Sequence, residues 1–370
     1  MKILQQCIYF PPEIGGLESH AFYLCRDLVR LGHQVTMVTS HSKPHAARAE
    51  VMDGVQVLRR WFPAKNPAGW VAHTLATVPT YLPLARHADI LHAQTFASAL
   101  PGMIARRRYG KPLVLTLHTS HFLKLAQKPA WKPILRRIIR SADWLLAASA
   151  EIRDVALGLY PHPRAEAVTN GADTEMFKPT APSLPAPPSG RTRVIVPRRL
   201  FHKNGVEYFV RALPLIRQEL DVEAIFVGDG PERERLEAIA RELRVLEYCH
   251  FMGARPNTDM PGLLSSASVA IFPSLLEATS VAALEAMSCQ LPVAASNVGG
   301  LPEIVDETVG TLFQPANPSD LAQKLVALLR RTDLKVTGER ARQRVVQSWS
   351  NERLARRHIE IYQTLLNEKR

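Results

Sequence analysis

Short apolar runs alternate with helical segments along nearly the whole chain, and that alternation limits the fold more than any other feature. Before residue 180 the runs are Lys2–Tyr9, Gln34–Thr39, Val55–Leu58, Ile90–Ala93, Leu113–Leu117 and Trp144–Ala147. After residue 190 they are Arg193–Pro197, Val222–Val227, His250–Gly253, Val269–Phe272 and Leu291–Ala295. Each is the length of a buried strand. Neighbouring strands joined through a helix run parallel, because the helix carries the chain back before the next strand begins. The expected class is therefore α/β, with doubly wound, Rossmann-like sheets. Thr180–Ser189, rich in proline and free of charge, separates the two sets and reads as a linker. A chain of 370 residues fits two domains at roughly 150 residues each. The expected boundaries are 1–178 and 191–350.

Composition removes several classes. At 46% hydrophobic residues the chain can fill two cores and is not disordered. Cys7, Cys25, Cys249 and Cys289 form no C-x-x-C pair, which disfavours a disulfide framework or a structural zinc site. No secretory leader is read at the start, and no apolar run is long enough to span a bilayer. A cytoplasmic protein is expected. The formal charge of +12 is uneven: residues 1–180 hold 22 Lys+Arg against 12 Asp+Glu, and residues 181–370 hold 24 against 22. Basicity of the first half points to a phosphate-bearing or anionic partner. Nucleic acid is disfavoured, because the basic stretches lack the aromatic interleaving of an RNA-binding motif.

Ile271–Val305 carries the chemistry. A buried strand ends at Pro273-Ser274, a helix is expected over Thr279–Met287, and a second strand, Leu291–Ala295, runs to the Gly299-Gly300 turn. Glu277 precedes the helix and Glu285 lies within it. At ~1.5 Å per residue their separation is about 12 Å, beyond the roughly 5–9.5 Å of a glycosidase carboxylate pair. It suits an extended ligand with a diphosphate in the middle, held at the helix N-terminus near Thr279, Ser280 and Val281.

The frame P-S-x-x-E with seven residues before the next glutamate, then E-A-M and P-V, resembles the E-x7-E signature of glycosyltransferase family 4. The resemblance extends over essentially the whole chain and is weakest over residues 41–88. It implies a GT-B fold, two Rossmann-like domains facing across a cleft, with 351–370 crossing back to the first. The implied activity is retaining transfer of a sugar from a nucleoside-diphosphate sugar, with UDP or GDP expected, and with no metal or other cofactor. On this resemblance Glu277 binds donor-sugar hydroxyls and Glu285 the ribose. Arg199 with Lys203 grips the diphosphate, Arg198 being second choice because R-L falls at Arg199-Leu200. Fixed cations are what a departing diphosphate requires. Gly228, in G-D-G-P, resembles the family's strand-to-helix turn. Asn170-Gly171-Ala172-Asp173 with Phe177 resembles its N-G-x-D-x-x-x-F. Gln290 departs from the family, which often has glycine there.

In the first half, Gly15-Gly16 sits between a strand and a helix, where a phosphate can approach backbone. The spacing is not G-x-G-x-x-G, which disfavours a nicotinamide site. The resemblance makes these glycines the loop that faces the donor phosphates. His118 follows the strand Leu113–Leu117, at the carboxyl end where open sheets bind ligands; the resemblance gives it a donor-sugar contact. His121 is the weaker of the two. Asn66–Ala85 is uncharged, and its prolines argue against one long helix. Phe122–Arg140 alternates apolar with basic residues and contains Trp131, so an anionic membrane surface is an expected partner alongside a glycan or lipid-linked acceptor. Two rival readings stay open: a sugar-nucleotide epimerase of the same fold, and a non-catalytic nucleotide-sugar-binding adaptor.

Overall fold

The computed structural model describes all residues except Ile14, Thr119, Thr169, Asn170, Ala278, Thr279, Lys369 and Arg370, and of Ser120 only the backbone. The chain divides into two compact units, Met1–Asn170 with Asn351–Arg370, and Gly171–Ser350.

The first unit is built on eight strands: β1 (Lys2–Gln6), β2 (Gln34–Ser40), β3 (Ala49–Met52), β4 (Val55–Arg60), β5 (Ile90–Ala93), β6 (Leu113–Leu117), β7 (Trp144–Ala147) and β8 (Ala165–Ala167). Their spatial order is β3-β4-β2-β1-β5-β6-β7-β8. All pairings are parallel except β3 with β4. Order reverses between β1 and β5, which makes their carboxyl ends the switch point of this sheet. The helices α1 (Gly16–Arg30), α2 (Pro67–His87), α3 (Ala99–Tyr109), α4 (Ser120–Ala126), α5 (Lys132–Ser141) and α6 (Ala150–Leu159) interleave with them.

The second unit has six strands: β9 (Thr192–Val196), β10 (Val222–Phe226), β11 (Cys249–Phe251), β12 (Val269–Phe272), β13 (Val293–Ser296) and β14 (Gly310–Phe313). They lie in the order β11-β10-β9-β12-β13-β14 and every pairing is parallel. Its helices are α7 (Val206–Arg217), α8 (Arg233–Glu242), α9 (Met260–Leu264), α10 (Val281–Ser288), α11 (Leu301–Ile304), α12 (Pro318–Leu329) and α13 (Leu334–Ser348). Successive strand residues point to opposite faces. So Val194 and Val196 enter the core under α7, α8 and α12, while Ile195 enters the core under α10 and α13. The last helix, α14 (Asn351–Asn367), belongs to the first unit and packs on α1.

Three local expectations are revised. Residues 171–178, expected with the first domain, group with the second unit: Ala172 bridges Ser350, and Phe177 is buried in the core beside Met287 and Val345. Asn66–Ala85 is one helix after all. Asn66 caps it through Gly69 N at 2.7 Å, Pro67 starts it, and Gly69, His73, Thr77, Tyr81 and Ala85 are buried along one face. Pro79 and Pro83 lie on the exposed face, where the carbonyls they leave unbonded can meet water. Finally, Phe122–Arg140 is not one amphipathic element. It spans most of α4, a turn at Pro129–Trp131 and most of α5. Phe122, Leu125, Leu135 and Ile139 are buried, whereas Lys124, Lys128, Lys132, Arg136, Arg137 and Arg140 are all exposed.

Docking of α14 places imidazoles in the first core. His92 on β5 contacts Tyr362 Oη through Nδ1 and Thr116 Oγ1 through Nε2, both at 2.7 Å. His358 stacks on His92 with centroids 5.5 Å apart and bonds the Leu354 carbonyl at 2.8 Å. Burial lowers the pKa of His20 and His92 well below the usual histidine range, and takes His358 to about 4. The unfolded chain therefore accepts protons that the folded one refuses. Stability should fall as pH drops from about 6.5 towards 4, with His358 alone worth about 3 kcal/mol. Urea midpoints across that range measure it, and His358→Gln should flatten the dependence.

Candidate active site

The site residues of the second unit gather where its strand order reverses. β10 lies to one side of β9 and β12 to the other, so the loops leaving β9 and β12 diverge and open a crevice at their carboxyl ends. The β9 loop carries Arg198 and Lys203; the β12 loop carries Ser274 and Glu277.

Arg198 is the hub. Its Nη2 donates to Glu277 Oε2 in a short ion pair, to Asn204 Oδ1 at 2.9 Å and to Ser274 Oγ at 2.9 Å. Its Nη1 donates to Ser280 Oγ at 3.4 Å. Both charged side chains are nearly buried, at 11% and 14% exposed, so each must hold the other's charge. Arg198 Nε is buried without a hydrogen-bond partner among the described residues. A guanidinium with a donor in reserve at a crevice suits an anionic ligand.

Local structure explains why these groups converge. Ser280 caps α10, its Oγ accepting from Ala283 N at 3.3 Å, with Val281 as the first helical residue. The Lys203 carbonyl accepts from Leu275 N at 2.8 Å, stitching the β9 loop to the β12 loop. Asn204 Nδ2 donates to the Arg199 carbonyl at 2.6 Å. Gly228 has φ +148°, and a Cβ there would collide with the Arg198 carbonyl; the visible role of this glycine is to let the β10 turn lie against the Arg198 backbone. Gly299, φ +54°, does the same beside the Glu277 carbonyl.

Arg198, the second choice from sequence, is the arginine beside Glu277. Arg199 is exposed, with its guanidinium over the Phe201 ring at 5.6 Å. Leu200 is buried in the core under α7, and with the register so fixed Arg198 turns inward. Lys203 is exposed at the same loop. Thr279 lies outside the described residues, as does Asn170 of the N-G-x-D motif.

Glu285 lies on α10, half-buried. Burial, with a smaller contribution from the charge of Asp173, pushes its carboxyl up to about 8. Arg342 holds this neighbourhood by donating to the Ser288 carbonyl at 2.6 Å and the Phe177 carbonyl at 3.1 Å, tying the end of α10 to the 171–177 loop. Asn204, Ser274 and Asp173 were not assigned site roles from sequence, although Ser274 stands in the P-S-x-x-E frame and Asp173 in the N-G-x-D motif.

In the first unit, Gly15 is the N-cap of α1 with extended backbone, and Gly16 begins the helix. His118 follows β6 and is buried; its Nε2 contacts Gln94 Oε1 at 2.9 Å and its ring lies 4.5 Å from that of His20.

Two family models match the chain, one on either side of the proline-rich linker. Residues 14–176 match the model described as Glycosyltransferase Family 4, and residues 191–331 match Glycosyl transferases group 1. The chain belongs to glycosyltransferase family 4. This family 4 enzyme is 27% identical to the glycogen synthase of Mycobacterium tuberculosis, over 98% of its own length and 94% of the relative's. It is 24% identical to the phosphatidylinositol N-acetylglucosaminyltransferase GPI3 of Saccharomyces cerevisiae, over 98% and 82% of the two chains. Among solved structures it resembles sucrose-phosphate synthase from Thermosynechococcus elongatus, with TM-score 0.86, 21% identity and 99% of each chain covered. It also resembles Anabaena HepE in complex with UDP-glucose, with TM-score 0.75 and 20% identity over 98% and 100% of the two chains. The fold is thus GT-B, and the family 4 activity is transfer of a sugar from a nucleotide sugar with retention of configuration. Among the described residues no helix is long and apolar enough to cross a membrane.

Proposed function

We propose that this family 4 glycosyltransferase moves a hexose from a UDP- or GDP-linked donor to a hydroxyl of a glycan or lipid-linked acceptor. The observation that carries the donor site is the Arg198–Glu277 pair at the second sheet's switch point, with Arg198 Nε in reserve and Lys203 on the same loop. Arg198 and Lys203 meet the diphosphate, Glu277 takes hydroxyls of the donor sugar, and Glu285 takes the ribose. The first amides of α10, beyond the Ser280 cap, face the phosphates. A donor carrying UDP is favoured by the likeness to HepE, whose complex holds UDP-glucose. His118 and Gly15-Gly16 are assigned to the first unit's contribution, and that unit to the acceptor.

The reaction follows a front-face course. The acceptor O–H oxygen bonds to the anomeric carbon as the bond from that carbon to the diphosphate oxygen breaks. The acceptor proton passes to the departing phosphate oxygen on the same face. The chain supplies position and positive charge, and no residue forms a covalent bond. Incubation with labelled donor, with and without a membrane or glycan fraction, tests this reading. Label should reach the acceptor fraction only when that fraction is present. An epimerised nucleotide formed from donor alone would favour the epimerase, and donor left unchanged in both arms the non-catalytic adaptor.

Location at an anionic membrane surface is proposed on the exposed basic face of 122–140, whose apolar residues are mostly spent on the core. Attachment should then be electrostatic. Sedimentation with phosphatidylglycerol vesicles should be clear at low salt and fall several-fold at about 0.5 M salt. Equal, negligible binding to neutral and anionic vesicles would end the idea.

A further inference from the structure

A cluster of half-exposed rings sits at the carboxyl edge of the first sheet, apart from His118. Tyr9 lies just past β1, Phe62 just past β4, Trp70 in the first turn of α2 and His121 in α4 after β6. Trp70 Nε1 donates to Tyr9 Oη at 2.9 Å. Tyr9 meets Phe62 edge-on with centroids 5.7 Å apart, and Trp70 meets His121 edge-on at 5.0 Å and 87°. In an edge-on pair one ring keeps both faces clear of its neighbour and the other keeps one. All four rings are half-buried, unlike the nearby Phe10 and Phe122, which are in the core.

An ion pair borders the rings. Lys65 Nζ lies 2.9 Å from the Glu13 carboxylate and 5.6 Å from the Tyr9 ring centre. Ser42 Oγ donates to Glu13 Oε1 at 2.6 Å, fixing the carboxylate from the β2 side. The Lys65 side chain is 55% exposed, so its ammonium reaches solvent next to aromatic surface.

We propose that Tyr9, Glu13, Phe62, Lys65, Trp70 and His121 form a subsite for a saccharide ring of the acceptor. A pyranose presents an apolar C–H face and a rim of hydroxyls that donate and accept. The rings match the first; the carboxylate and ammonium match the second. A lipid tail would leave Glu13 and Lys65 unused, and an inorganic anion would leave the rings unused. The enzyme therefore adds its sugar to an existing saccharide rather than to a bare lipid. This rests on the assignment of the acceptor to the first unit.

The test uses the full chain and four probes: the methyl glycosides of glucose, galactose, mannose and N-acetylglucosamine. Each is titrated by saturation-transfer NMR in the presence of UDP, with UDP binding measured on the same samples. At least one glycoside should bind. Trp70→Ala should weaken it about tenfold, and Lys65→Met, at an exposed position that spares the fold, should weaken it by a smaller factor. UDP affinity should stay unchanged in both variants. Binding that survives Trp70→Ala and Lys65→Met but falls with Glu277→Gln would place the glycoside in the donor-sugar position and overturn the proposal. So would failure of all four glycosides to bind while UDP still binds. Loss of UDP binding by the wild-type chain would instead count against the donor site.

Discussion

Lys203→Ala should lower turnover by about 10²–10³-fold while leaving the fold intact. The side chain is exposed, and what holds its loop is the Lys203 carbonyl, bonded to Leu275 N, which alanine keeps. The nucleoside diphosphate gains negative charge as the anomeric bond breaks, and a fixed cation counts most at that moment. Turnover should therefore fall further than donor affinity does. Arg199→Ala, the neighbouring control, removes a guanidinium that lies over Phe201 and should cost less than about threefold. Single-turnover rates with saturating donor, alongside unchanged far-UV circular dichroism, check both. Near-normal turnover of Lys203→Ala would reject the phosphate assignment.

Glu285→Ala should weaken nucleotide binding by about tenfold, as expected for losing the hydrogen bonds of one carboxyl group to the ribose. The opposite effect is expected on the unliganded protein. The folded carboxyl titrates at about 8 because of its burial, above its usual range. A raised folded pKa means the group's favourable contribution is complete at acid pH and is lost as pH rises through about 8. Glu285→Gln should thus melt above the wild type by a margin that widens from about pH 5 to pH 8 and then levels. Melting curves without ligand measure the first effect and calorimetric titration of UDP the second. A site that destabilises the empty protein and holds nucleotide is the trade expected of function.

Much of this was legible beforehand, for physical reasons. Buried parallel strands such as Val222–Phe226 and Val269–Phe272 are continuous apolar runs, which sequence displays directly. β3 and β8 escaped because they are edge strands in half-exposed surroundings and carry no such run. α2 was obscured by Pro79 and Pro83, whose cost depends on which side of the helix they occupy, and periodicity through a charge-free segment does not reveal that side. The choice between Arg198 and Arg199 turned on the burial of Leu200, a tertiary fact. Gln290 shows the converse: it takes φ +62°, which explains why glycine often stands at this place in the family. The imidazole core around His92 and His358 joins residues distant in sequence, so no local pattern announced it.

Arg198, Lys203, Glu277 and Glu285 are proposed to hold one activated sugar. Thermal melting with UDP-glucose, GDP-mannose and ADP-glucose in turn, repeated on Lys203→Ala and Glu285→Ala, tests it most directly. One donor should raise the wild-type midpoint, by the equivalent of about 2.7 kcal/mol at a hundredfold excess over its dissociation constant, and the rise should shrink sharply in both variants. No rise with any donor, or a rise of equal size in all three proteins, would contradict the account.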